Sequence, residues 1–206
     1  MHHSRNKYNF IIRDKTSKGD DIMRREAAAR LRRYLKSQFI KFTADMDNGV
    51  PRFTMCFEGY DEVPGNGIEC AVWFYRQEME VRTYYTKAGA EICKKYRNKM
   101  PALLKLLNYI NARVWVKSYD GTLNELKYLY TPRIYVTEDE CFDITFTTIV
   151  PYDFYDLEPF GTEDYITVSA PDLLADLGPA IFGVLTGERS FESAKRHINR
   201  SIIRKQ

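Results

Sequence analysis

The sequence predicts an α+β protein. Its antiparallel strands, in one sheet or two, follow a helix-β-β-β-helix-β-β-β-helix order with helices packed on one face. Three observations predict this. The early run IMRREAAARLRRYLKSQFIKF repeats apolar residues at helical spacing. Two later groups of short segments alternate apolar and polar residues at period two. Turn signals such as Pro64-Gly65-Asn66-Gly67 and Asp120-Gly121 leave only a few residues between those segments. A parallel pair would need a crossover of a dozen residues or more.

The chain of 206 residues suits one domain and is long enough to bury a core without disulfides or metals. Residues 1–18 read as a flexible N-terminal arm, and 19–206 as a single α+β domain. An apolar knot at Tyr8, Phe10, Ile11 and Ile12 gives the arm something to dock with. His2 and His3 receive no role. Tyrosine is abundant, with 15 copies, and its apolar ring and hydroxyl suit half-buried sheet faces.

Asp20 is placed as an N-cap, with Asp21 in the first turn at the positive end of the helix dipole. Ala27, Leu31, Leu35 and Phe39 then recur every fourth residue, leaving an arginine-rich outer face. Asp47-Asn48-Gly49 ends this helix. In RFTMCFE, Phe53, Met55 and Phe57 share a face. In IECAVWFYR, Ile68, Cys70, Val72 and Phe74 oppose Trp73 and Tyr75, and MEVRTYYT completes a three-stranded meander. Residues 87–111 read as helix in two pieces, the second starting at Pro101. Leu103, Leu106, Leu107 and Ile110 form its buried stripe, and Asn111 closes it. A second β group takes in VWVKSYDG, an irregular strand over 126–136 broken at Pro132, and CFDITFTTIV. Residues 151–162 read as irregular.

The stretch PAIFGVLTGERSFESAKRH carries spaced glycines and lysine, the ingredients of a phosphate loop. Its spacing does not fit. A P-loop needs GxxxxGK[ST] after a strand, and here Gly183 and Gly187 are four apart with no lysine following either. Helix ends explain the residues. Ser169 with Asp172 resembles a capping box, and Gly178-Pro179 predicts a kink or break. Gly187 suits a left-handed C-cap, and Ser190 the N-cap of a last helix.

Chemical constellations are sparse. Cys56, Cys70, Cys93 and Cys141 contain no CxxC pair and read as thiols kept reduced in a cytoplasmic protein. His197 is the one histidine outside the N-terminal pair, and it lacks a motif partner for nucleophilic catalysis. No zinc, EF-hand or dinucleotide spacing occurs, so no cofactor or metal is implied. No apolar run reaches ~18 residues, so no membrane span is expected. The basic early helix has a functional alternative. Arg24, Arg25, Arg32, Arg33 and Lys36 are suited to contacting nucleic-acid phosphates. The net charge of +3 argues instead for a solvated or partner-facing helix.

Two segments, LLKLLNYINARVWVKSYDGTL and PAIFGVLTGERSFESA, resemble the middle and closing helices of the YbjN-like family. They cover under half of the chain. The resemblance implies a fold similar to type III secretion chaperones, often dimeric, with regulatory or chaperone-like roles and no catalytic centre. Three functional expectations follow. The first is a non-enzymatic cytoplasmic protein that binds a protein partner or itself as a homodimer. The second is nucleic-acid binding through the helix over 22–41. The third is an enzyme with a cleft outside any known motif.

Overall fold

A computed structural model describes residues 5–114, 133–138 and 141–203, with side chains from residue 19 onward. Its strands form one six-stranded antiparallel sheet in the order β1-β2-β3-β4-β6-β5. The first group is a four-stranded meander: β1 (Phe42–Asp47), β2 (Val50–Glu58), β3 (Gly67–Phe74) and β4 (Glu78–Tyr85). The second contributes β5 (Arg133–Val136) and β6 (Ile144–Pro151). The expected strand at 114–117 and the break at Pro132 fall almost wholly outside the described residues.

The extra strand corrects the reading of Asp47-Asn48-Gly49. This is not a helix stop but a two-residue hairpin turn. Asp47 pairs with Val50, and Asn48 and Gly49 take φ +49° and +82°, as the type I′ turn demands. The helix ends earlier. Helix α1 (Arg5–Ser37) closes in a Schellman motif, with Phe39 left-handed at φ +57°. Ile40 N–H donates to Leu35 O at 2.9 Å and Phe39 N–H to Lys36 O at 3.2 Å. Phe39 is thereby turned outward, 92% exposed, instead of continuing the Ala27-Leu31-Leu35 stripe.

The start of α1 is also corrected. Its helical backbone takes in most of the expected arm, and Asp20 sits inside the helix rather than capping it. No proline interrupts residues 5–37, and helix propagation adds one bond per residue fixed, so a docked segment extends backward readily. Asp20 is buried, with Arg76 Nε 3.0 Å from its carboxylate.

The predicted strand faces hold. Phe53, Met55, Ile68, Cys70, Val72, Phe74, Met79 and Val81 line the inner face and are all buried. Each large side chain of this kind contributes roughly 1.5–3 kcal/mol on burial. The helices meet this face. Arg32 of α1 lies over the Phe53 ring, and Tyr85 stacks edge-on against Phe182 at 4.7 Å. The opposite face carries Arg52, bonded to Asp45 and Asp47, and Trp73, whose indole N–H donates to Asp47 at 2.8 Å. The middle helix is in two pieces, α2 (Lys87–Lys95) and α3 (Met100–Arg113), with Pro101 in the first turn of α3. Asn111 lies within α3 rather than ending it. Its side-chain amide exchanges two hydrogen bonds with the backbone of Ile134, at 2.9 and 2.8 Å, tying edge strand β5 to the helix.

Beyond β6 the chain departs most from expectation. The irregular stretch is α4 (Tyr152–Leu157) and α5 (Pro159–Asp164), joined where the Glu158 carboxylate caps Gly161 N–H at 3.0 Å. A π-helical turn, Tyr165–Ser169, then runs directly into α6 (Ala170–Thr186). Ser169 is therefore an interior helical residue at φ −65°, and its hydroxyl bonds Asp164 instead of capping. Nor does Gly178-Pro179 break the helix. An interior proline costs about 3 kcal/mol, but 13 of the 17 residues of α6 are buried, and that packing holds the helix together. The helical run 159–186 is long and apolar enough to cross a membrane by composition. Yet 78% of its most apolar window is buried inside the fold, where it serves as the central core helix.

Candidate functional site

The last helix, α7 (Phe191–Ser201), has three longitudinal stripes that fix how it sits. Ala194, Ile198 and Ile202 recur every four residues and are buried. On one flank, Phe191 packs edge-on against Tyr109 of α3, whose hydroxyl donates to Asn199 at 2.7 Å. Lys195 and Lys105 lie over those two rings. The other flank carries Ser193, Arg196, His197, Arg200 and Ser201. With Arg189, these residues line a cleft of about 330 Å³.

The turn between α6 and α7 places Arg189. Gly187 ends α6 at φ +83°, as its sequence position predicts, and the Ser190 hydroxyl accepts from Ser193 N–H at 3.2 Å. Arg189 N–H then donates back to Gly183 O at 2.8 Å. Its aliphatic stem crosses Gly183 so closely that a Cβ there would lie 2.7 Å from Cδ. Gly183 therefore serves close packing, and it lets Arg189 reach the cleft from the α6–α7 turn.

The cleft is cationic. Among the described residues, the guanidinium groups of Arg189, Arg196 and Arg200 form no ion pair, and no carboxylate or thiol lines the cleft. Burial, and then the charge of Arg189, hold the His197 imidazole below its usual pKa, against an opposing pull from Glu62 and Asp176. The neutral imidazole is thus favoured at neutral pH. The Ser201 hydroxyl is committed to His197 O at 2.6 Å.

The arginines singled out from the early helix fare differently. Arg24 pairs with Asp21 at 3.0 Å, and the Arg32 guanidinium lies 5.1 Å from the Phe53 ring centre. Arg25, Arg33 and Lys36 are exposed on the outward side of α1. Neighbouring Arg30 binds Asp156 at 2.9 Å and the Tyr155 carbonyl at 3.3 Å, and stacks on the Tyr155 ring. Beneath it, Tyr155 donates to the Glu163 carboxylate at 2.9 Å. Burial pushes Glu163 up, against that bond and the charges of Arg30 and Arg33. These contacts join α1 to α4 and α5.

No protein-family model, curated protein or solved structure matches this chain.

The cleft residues were missed as a group because Arg189 joins the stripe from outside α7. A partial signal was present. Ser193, Arg196, His197, Arg200 and Ser201 fall at i, i+3, i+4, i+7 and i+8, one helix face. The thiols do not assemble with His197. Cys93 is buried in α2, its pKa pushed by burial to about 11, and Cys70 is pushed by burial to about 12.

Proposed function

We propose that this protein is a non-catalytic binding protein that docks an acidic segment of a partner protein on the basic flank of α7. The observation that carries this reading is the convergence of Arg189, Arg196, Arg200 and His197 on one cleft, with the three guanidiniums unpaired among the described residues. Guanidinium groups are the favoured partners of carboxylates because their planar fork matches two oxygens at once. Catalysis would ask for a base poised near neutral pH beside a nucleophile. Here the imidazole is held low, its neighbour Ser201 is tied to the backbone, and the rest of the lining is arginine and serine.

Size and placement favour a protein over a nucleic acid. A cleft of about 330 Å³ holds one or two anionic groups, not a length of phosphate backbone. The other basic surface lies on α1, which packs against α4 and β3, whereas α7 packs against α6 and α3. The two helices are thus seated on different elements of the fold. Leu157 and Phe160, 82% and 80% exposed at the α4–α5 corner, are the kind of apolar side chains a protein partner covers. The likeness to the YbjN-like family agrees with a chaperone-like or regulatory role, although no family model supports it. The unbridged thiols Cys56, Cys70 and Cys93 suit a reducing cytoplasm.

Fluorescence anisotropy with a labelled oligoglutamate peptide and a single-stranded DNA of matched charge, across a salt series, tests the reading. The peptide is expected to bind, and Arg196→Gln with Arg200→Gln to remove most of the affinity. Tighter DNA binding that maps to Arg25, Arg32 and Lys36 would replace it with the nucleic-acid reading. Binding of neither probe would overturn both. Light scattering on the same samples identifies a second copy as the partner if a dimer forms and salt dissociates it.

A further inference from the structure

The cleft is better matched to a doubly charged tetrahedral anion than to a carboxylate. Its three guanidiniums come from two directions. Arg196 and Arg200 rise from α7, and Arg189 reaches across from the α6–α7 turn. A planar carboxylate with one negative charge satisfies one such fork and leaves two cations facing each other. A phosphate monoester carries close to two charges and three acceptor oxygens, enough to serve guanidiniums arriving from separate sides. The Ser193 hydroxyl adds a neutral donor with no partner among the described residues.

Arg189 is already positioned for such a ligand. Its backbone is bonded to Gly183 O, and its stem is laid across the bare Cα of Gly183. Part of the side-chain freedom of its stem is thus already lost before binding. The neutral state of His197 fits as well. It adds no fourth permanent charge to repel the arginines, and it lies where a bound dianion would favour its protonation.

We propose that the α7 cleft is a phosphate-monoester site, filled in the complex by a phosphorylated serine or threonine side chain of the partner protein. This rests on the docking reading above and specifies the group that is docked. The probes are a short peptide carrying phosphoserine, its unphosphorylated and glutamate-substituted forms, and inorganic phosphate. Each is titrated into the full chain by calorimetry, with Arg196→Gln, Arg200→Gln and Arg196→Lys as variants.

The phosphopeptide is expected to bind at least about tenfold tighter than the glutamate form, as loss of charge-assisted hydrogen bonds implies. Each glutamine variant is expected to lose that advantage with an unchanged melting temperature. Arg196→Lys is expected to keep the charge and lose affinity, since an ammonium cannot form the bidentate contact. Equal affinity for the phosphoserine and glutamate forms overturns this inference and leaves the docking of acidic segments standing. Inorganic phosphate binding as tightly as the phosphopeptide overturns the partner-borne source. Failure of every probe, oligoglutamate included, overturns both readings.

Discussion

Two helices in this molecule are rich in arginine, and they use it in opposite ways. On α1 several cations are engaged within the fold: Arg24 with Asp21, Arg30 with Asp156 and Tyr155, Arg32 over Phe53. Arg25 and Lys36 are exposed, and Arg33, also exposed, acts by its charge on Glu163 and Tyr155. On α7 fewer cations meet in a concavity whose lining holds no carboxylate, with Glu62 and Asp176 near enough to act on His197. The denser segment in sequence is thus the one whose arginines brace the fold, and the sparser is the one whose arginines converge. Charge density along a chain measures solubility and field. A site needs convergence, and convergence comes from a second element, here the turn that carries Arg189.

The largest effect that separates the two is on stability. Arg30→Ala removes a hydrogen bond to the Tyr155 carbonyl and the contact with its buried ring, and is expected to cost about 1–3 kcal/mol. The ion pair with Asp156 adds little, because both partners are substantially exposed and solvent screens them. Arg196→Gln is expected to stay within about 0.5 kcal/mol of the parent, since its side chain is exposed and forms no ion pair among the described residues. Urea midpoints at constant slope measure both. Equal losses at the two positions would erase the distinction between a structural and a recognition arginine.

A smaller and more selective effect comes from Gly183. Adding a methyl group there places Cβ against Cδ, Cγ and Nε of Arg189. The guanidinium arm is flexible and can swing aside, and alanine is the better helix former by about 1 kcal/mol. Gly183→Ala is therefore expected to leave stability unchanged or slightly raised while weakening anion binding several-fold. Calorimetric affinity for the phosphoserine peptide, set beside a melting curve, reads both at once. Retained affinity would mean that Arg189 is not part of the site, and would reduce the cleft to the face of α7.

How much of this was legible follows from where each signal lies. The α+β class and the strand faces were readable because alternation at period two is local. Ile68, Cys70, Val72 and Phe74 declare one face by themselves, and the register confirms it. Gly187 and Ser190 were readable for the same reason, since caps depend on a few neighbouring residues. Asn48-Gly49 was misread although its signal is strong. The preceding FTADMD looks polar because β1 is an edge strand with mostly exposed side chains. Of the kink or break expected at Gly178-Pro179, the break does not occur, because packing around α6 rather than the local sequence decides whether it continues. The cleft was half legible. The stripe on α7 is periodic, but Arg189 enters through a close approach to Gly183 that only the fold creates.

The subtlest way to sharpen the comparison is the charge state of His197. Its environment is mixed. Arg189 in the turn repels a proton, Glu62 and Asp176 attract one, and Arg196 and Arg200 share its helix and line the same cleft. Burial is the leading cause, and the folded pKa lies below the usual value near 6.5. Between those two values the unfolded chain binds more protons than the folded one, so stability rises with pH. The contribution is complete above about 6.5 and is lost as pH falls through the folded value. A bound dianion reverses the balance by favouring the imidazolium, so saturating phosphate is expected to raise the His197 pKa. Affinity against pH is an ambiguous readout, because the phosphate itself takes up a proton near pH ~6. Direct titration of the imidazole by NMR avoids this, with His197→Gln identifying its signal among those of His2 and His3. An upward shift with phosphate, absent from Arg196→Gln/Arg200→Gln, would place the anion beside the imidazole. A titration curve that does not move would leave α7 as inert as the outer face of α1.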